Sequence, residues 1–216
     1  MATIRLRPRR RVWRRWLGLG AFFAAAALVA VCLWRMSPAR QAYDRVRALE
    51  QAVPPDYVTE ALIPELGTAR SGLRLSDFTG VVIHYVGNPG TSAQGNRNYF
   101  ATPGTPVVSH FVIGLDGEIL QCLPLWERSV ASNERNRDTV SIEVCHPDDS
   151  GQFTEESYRS LVRLTAWLCH VGDLSSEQVI RHYDVTGKEC PRYYVDNEAA
   201  WRQLRRDVQQ AKESFE

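Results

Sequence analysis

The sequence predicts a mixed α/β domain, one central β-sheet flanked by helices, preceded by a single N-terminal transmembrane helix. Three observations predict it. Residues 16–34 carry no charge and directly follow an arginine-rich start. Short β-branched and aromatic runs recur between Gly80 and Arg181. Between and after those runs lie segments whose apolar residues recur at helical spacing, and strands interleaved with helices in one stretch give a single sheet covered by helices.

The N-terminal reading comes first along the chain. Residues 1–15 hold seven arginines and no acidic residue. The following nineteen residues, Trp16 to Trp34, would span roughly 28 Å as a helix, close to the thickness of a bilayer's hydrocarbon. Trp13, Trp16 and Trp34 bracket the run as interfacial anchors do, and the arginines place the N-terminus on the cytoplasmic side. The alternative is a cleaved secretory signal, with a shorter apolar run ending in small residues. Here Ala30 is followed by Val31, Cys32, Leu33 and Trp34, which offer no cleavage site, and Val31 is bulky for the residue before a lipidated cysteine. The expected division is a basic cytoplasmic segment (1–15), a transmembrane signal anchor (16–34), a stalk and lead-in (35–77) and the main domain (78–216), which lies outside the cytoplasmic membrane.

The domain's elements follow in order. Gln41 to Gln51 is the one helical stretch of the lead-in, which is otherwise broken by Pro38, Pro54, Pro55 and Pro64. Val81 to Val86 is a continuous apolar run, as in a strand buried on both faces, and Gly87-Asn88-Pro89-Gly90 stops it. A short helix from Ser92 to Phe100 precedes strands at Val107–Ile113 and Glu118–Leu123, joined by the hairpin signal Asp116-Gly117. Thr139 to Cys145 is a further strand. Thr154 suits a helix N-cap, with Glu155 and Glu156 favouring the positive end of the dipole, and the helix runs to Gly172. Gln178 to Arg181 is a strand feeding a loop at His182, and Asp196 caps a last amphipathic helix through Trp201, Leu204 and Val208.

Charge excludes one function class. The whole chain is +1, yet from Trp16 onward 19 basic residues face 25 acidic ones, a net charge of −6 that disfavours nucleic acid as a partner. Of the five cysteines, Cys122 and Cys145 end two strand-like runs, as neighbours or as buried free thiols. His146 and His170 read as surface residues, Trp126 as packing at the domain edge, and Asn96, Arg97 and Asn98 near Tyr99 as a plain loop or the wall of a groove.

The chemistry lies near the C-terminus. His182 and Cys190 stand eight apart, the two ends of a short loop that can fold around a zinc ion. His84 interrupts a strand of Val, Ile and Tyr, where an imidazole is costly to bury unless satisfied. The segments Val82-Ile83-His84-Tyr85, Ser109-His110-Phe111-Val112-Ile113, Asp116-Gly117, Ser141-Ile142-Glu143 and His182 to Pro191 resemble, in order, the zinc-dependent N-acetylmuramoyl-L-alanine amidases, which share a fold with the peptidoglycan recognition proteins. That resemblance covers about Gly80 to Tyr194 and implies His84, His182 and Cys190 as ligands of a catalytic Zn2+, an open set of three of the kind that hydrolytic zincs use. It further implies Glu143 as general base, Lys188 as the cation that steadies an oxyanion, and peptidoglycan or its muropeptides as substrate. Relatives with a tyrosine before the third-strand histidine differ from this chain, which has Ser109 there, and His110 reads as substrate-facing or structural. The competing function is a non-catalytic peptidoglycan-binding module of the same fold, which typically lacks the cysteine ligand.

Overall fold

The computed structural model describes residue 23, residues 25–65 and residues 67–215. Two compact units divide at Gln41 and Ala42. In the first, residues 25–35 are helical, and Leu28, Val29, Val31 and Leu33 turn between 49% and 67% of their surface outward. Among the described residues no helix is long and apolar enough to cross a membrane. Residues 16–22 and 24 of the expected span, and all of the basic segment 1–15, lie outside the described residues.

The second unit is built on one six-stranded sheet. Helix α1 (Pro38–Gln51), into which the division falls, precedes β1 (Val58–Glu60) and β2 (Gly80–Tyr85). Helix α2 (Ala93–Phe100), β3 (Phe111–Ile113), β4 (Ile119–Gln121) and β5 (Thr139–Val144) follow. The chain closes with α3 (Glu155–Gly172), β6 (Val179–Arg181), α4 (His182–Thr186), α5 (Arg192–Asp196) and α6 (Glu198–Lys212). The strand order is β1-β4-β3-β5-β2-β6. Among the described strands only β3 and β4 pair antiparallel, through the turn at Gly117. Gly117 has φ +82°, and an added Cβ would lie 2.9 Å from the Glu156 carbonyl oxygen, so the hairpin needs glycine.

Strand periodicity divides the sheet's side chains between two faces. Val81, Ile83, Val140, Ile142 and Val144 are fully buried in a core completed by Leu161, Leu164 and Leu168 of α3 and Trp201, Leu204 and Val208 of α6. Each such aliphatic side chain contributes ~1.5–3 kcal/mol by leaving water. The second face is covered by a smaller cluster around Phe100, Val108, Val112 and Cys122, and the polar side chains point there.

Three expectations need correction. From Ala42 onward the segment 35–77 is part of the compact unit rather than a stalk. Val46 and Leu49 enter the main core, β1 pairs parallel with β4, and Arg70 meets the buried Glu127 carboxylate at 3.0 Å. The region after Arg181 is a helical turn, because the Asp184 carboxylate accepts the Arg181 backbone N–H at 2.8 Å. The last helix is capped one residue later than expected, by Asn197, whose side chain accepts from the Ala200 N–H.

The Thr154 cap and the α3 limits agree with the sequence reading. All five cysteines are free.

Candidate metal centre and active site

The functional side chains meet at the carboxyl ends of three parallel strands, where open α/β sheets receive their ligands. His84 is the fifth residue of β2 and Glu143 its direct partner on β5, so both project from one face. β6 lies on the other side of β2 and delivers His182 as the first residue of α4. That turn is anchored from below by Arg181, whose guanidinium reaches Asp184 at 2.8 Å, Glu198 at 2.8 Å and the Tyr194 carbonyl at 2.9 Å. Gly187, with φ +78°, ends the turn in a left-handed conformation, and the Tyr183 N–H donates to the Cys190 carbonyl at 2.9 Å. The loop thus returns Cys190 beside His84.

One ligand atom from each of His84, His182 and Cys190 lies within 4.8 Å of the others, and all three residues are buried. His84 Nδ1 stands 3.8 Å from Cys190 Sγ. Tetrahedral zinc at ordinary bond lengths sets nitrogen and sulfur ligands about 3.6 Å apart, so the pair fits a shared ion. The two imidazoles meet edge to face, their centroids 4.7 Å apart. Burial, reinforced by His182 and Lys188, holds His84 well below the usual histidine range; burial and Lys188 lower His182 as well. Both rings therefore keep free lone pairs at neutral pH, the form a metal takes. Burial, aided by Glu143, pushes the Cys190 thiol up to about 12, a shift that a bound cation reverses by stabilising the thiolate.

Glu143 and Lys188 line the same cavity of about 450 Å3 as the three donors. Burial raises the Glu143 carboxyl to about 8, with the Lys188 charge opposing. Among the described residues, the buried Glu143 Oε2 has no hydrogen-bond partner. An orphaned oxygen facing a cavity is costly, and its occurrence beside three metal donors marks the group as available for chemistry.

All five expected site residues thus come together, and other expectations sort out around them. His110 is wholly buried and structural: the Ser141 N–H donates to Nδ1 at 3.0 Å, and Nε2–H donates to the Glu127 carbonyl at 2.7 Å. His146, expected on the surface, is buried, with Nε2 2.8 Å from the Val86 carbonyl and Nδ1 2.6 Å from that of Asp148. His170 is exposed and stacks on Phe215. Asn96 and Tyr99 line a second cavity that also touches Glu143, whereas Arg97 is tied to the carbonyls of Ala61 and Leu62.

Two site neighbours were not visible in the sequence, Ser132 and Asn133, which contact His84 and His182 at 3.0 Å. Each contact joins residues 48 or 49 positions apart, and no local pattern announces it.

Fold and site together define a single-sheet α/β domain with a buried two-histidine, one-cysteine cluster, a donor set that could hold a metal ion, beside a carboxylate whose Oε2 has no partner. The chain belongs to the N-acetylmuramoyl-L-alanine amidase family (Amidase_2), whose profile matches residues 74–193. A probable N-acetylmuramoyl-L-alanine amidase of Bacillus licheniformis is 33% identical over 144 residues, covering 58% of this chain and 40% of that protein. The chain thus spans less than half the length of such curated relatives. Among solved structures, the catalytic domain of XlyA, from Bacillus subtilis, aligns with a TM-score of 0.61 at 26% identity, covering 70% of this chain and 98% of that one. A mutant endolysin from Bacillus subtilis aligns with a TM-score of 0.62 at 25% identity, covering 70% and 97%.

Proposed function

We propose that this chain is a zinc-dependent hydrolase that cleaves the amide bond between the lactyl group of N-acetylmuramic acid and the L-alanine of the stem peptide in peptidoglycan. The observation that carries the reading is the convergence of His84, His182 and Cys190 within 4.8 Å in the cavity that also holds the orphaned Glu143 oxygen. Family membership supports the substrate. The presence of Cys190 in the cluster favours catalysis over binding alone.

His84, His182 and Cys190 would hold a zinc ion, which would supply Lewis acidity to the scissile carbonyl and make a nearby water more acidic. Glu143, on the same cavity wall as the three donors, takes the proton of the attacking water and passes it to the departing alanine nitrogen. Lys188, on the same cavity wall, offers its ammonium to the negative charge that develops on the carbonyl oxygen.

The proposal extends to location. Residues 16–34 anchor the chain in the cytoplasmic membrane with residues 1–15 inside, and the catalytic domain faces the wall. The uncharged run after seven arginines supports this, as do the outward-facing apolar side chains of residues 28–33.

The test is to incubate the full chain with purified peptidoglycan, with zinc and with a chelator, and to assay new L-alanine amino termini. Chelator-sensitive release is expected. A zinc-loaded chain of confirmed metal content that releases none contradicts the assignment.

A further inference from the structure

Both histidines of the cluster are held from behind by one turn. Ser132, fully buried, places its Oγ 3.0 Å from His84 Nε2. The next residue, Asn133, places its Oδ1 3.0 Å from His182 Nε2. An amide oxygen only accepts, so the Asn133 contact requires the proton of His182 to sit on Nε2, which leaves the lone pair on Nδ1. For His84 it is again Nδ1 that faces the cluster, 3.8 Å from Cys190 Sγ. The Ser132 hydroxyl can donate or accept, and it accepts from Nε2–H whenever Nδ1 is engaged by an ion. Among the described residues, no other group hydrogen-bonds Nε2 of either ring.

The turn is built independently of the histidines. The Asn136 Oδ1 accepts the backbone N–H groups of Ala131 and Ser132 at 2.9 and 2.7 Å, which fixes the chain just before the bend. Asn133 then adopts φ +54°, the left-handed region that most side chains avoid and asparagine tolerates. A left-handed residue persists where its surroundings impose it, and such positions gather at functional sites. Here the bend turns two successive side chains onto two rings, one from strand β2 and one from helix α4. Groups behind a metal-bound histidine commonly fix which nitrogen is free and how the ring is aimed.

We infer that the Ser132-Asn133 turn is a positioning device that selects the Nε2–H tautomer of both His84 and His182 and so presents both Nδ1 atoms to the metal. This rests on the reading of the trio as a metal centre. Ser132 acts through His84 and Asn133 through His182, and Asn133 also lines the cavity.

The test uses the full chain in detergent micelles, labelled with 15N at histidine. Long-range 1H–15N spectra report the tautomer of each ring, and competition with a chromophoric chelator reports zinc affinity. Asn133→Gly keeps the left-handed backbone and removes the acceptor; Asn133→Asp restores an acceptor oxygen in a residue suited to that backbone. For the other ring, Ser132→Ala removes the hydroxyl and Ser132→Thr restores it. We expect His182 as the Nε2–H tautomer in the metal-free wild type. In Asn133→Gly that signal should shift toward a tautomer mixture and zinc affinity should fall 10- to 100-fold. Asn133→Asp should recover the tautomer, and the Ser132 pair should do the same at His84. A wild-type chain that binds zinc, with Asn133→Gly unchanged in both tautomer and affinity, overturns this inference alone. A wild-type chain that binds no zinc overturns the metal reading and this inference with it.

Discussion

The two faces of strands β2 and β5 are made by the same twelve residues and do opposite work. On one face Val81, Ile83, Val140, Ile142 and Val144 are wholly buried among helices, and nothing polar is left to satisfy. On the other, His84, Ser141 and Glu143 stand among loops, and two of these line an open cavity. Polar burial alone does not mark the site, since His110 on the neighbouring strand segment is equally buried with both ring nitrogens bonded. What distinguishes the site is an unpartnered carboxylate oxygen in the same cavity as three metal-ligating side chains. The apolar face holds the strands in register, and that register places His84 opposite Glu143.

Substitutions on the two faces should therefore separate turnover from stability. The largest effect is expected from Glu143→Gln. Turnover should fall about 10²- to 10⁴-fold, roughly 3–5 kcal/mol of barrier, while zinc content and the urea midpoint hold. Loss of zinc together with activity would reassign Glu143 to metal binding.

Its neighbour Ile142, on the opposite face, should do the reverse. Ile142→Ala is expected to cost about 2–5 kcal/mol in urea denaturation yet to leave turnover within a few-fold wherever the protein is folded. Equal damage to turnover under folded conditions would erase the contrast between the faces.

The satisfied histidine sharpens the comparison through pH. Burial lowers His110 to about 4, whereas the unfolded chain binds the proton near the ordinary value of 6.5. Between those values the unfolded state holds more protons, so stability falls as pH drops through the window, by at most about 3 kcal/mol. Urea titrations of the metal-free protein at several pH values should show this slope, and His110→Gln should make it shallower, the remainder coming from His84 and His182, which burial also lowers. An unchanged slope in the variant would remove His110 as its source. The smallest effect is expected at Thr154, whose Oγ accepts from the Ser157 N–H at the start of α3. Thr154→Ala should cost about 1 kcal/mol in urea denaturation without altering turnover, and a lost turnover would tie the helix cap to the site.

Much of this was legible in the sequence because it is local or periodic. The apolar runs, the Thr154 cap and the hairpin glycine announce themselves within a few residues, and His84 stands out because its strand is otherwise apolar. Strand β1 was not legible: Val58-Thr59-Glu60 is three residues long, and parallel pairing with β4 defines it. His146 looked like a surface residue between a cysteine and a proline, and only the carbonyls of Val86 and Asp148 explain its burial. Ser132 and Asn133 sit in a polar stretch typical of a loop; their significance comes from rings on other elements.

On the proposed function, the polar face of the sheet is a one-ion centre built by His84, His182 and Cys190. Native mass spectrometry of the full chain after zinc loading and desalting tests it most directly. One zinc per wild-type chain and none in a folded Cys190→Ala variant is the predicted result. A wild-type chain that carries no zinc, or a variant that retains it in full, would contradict the claim.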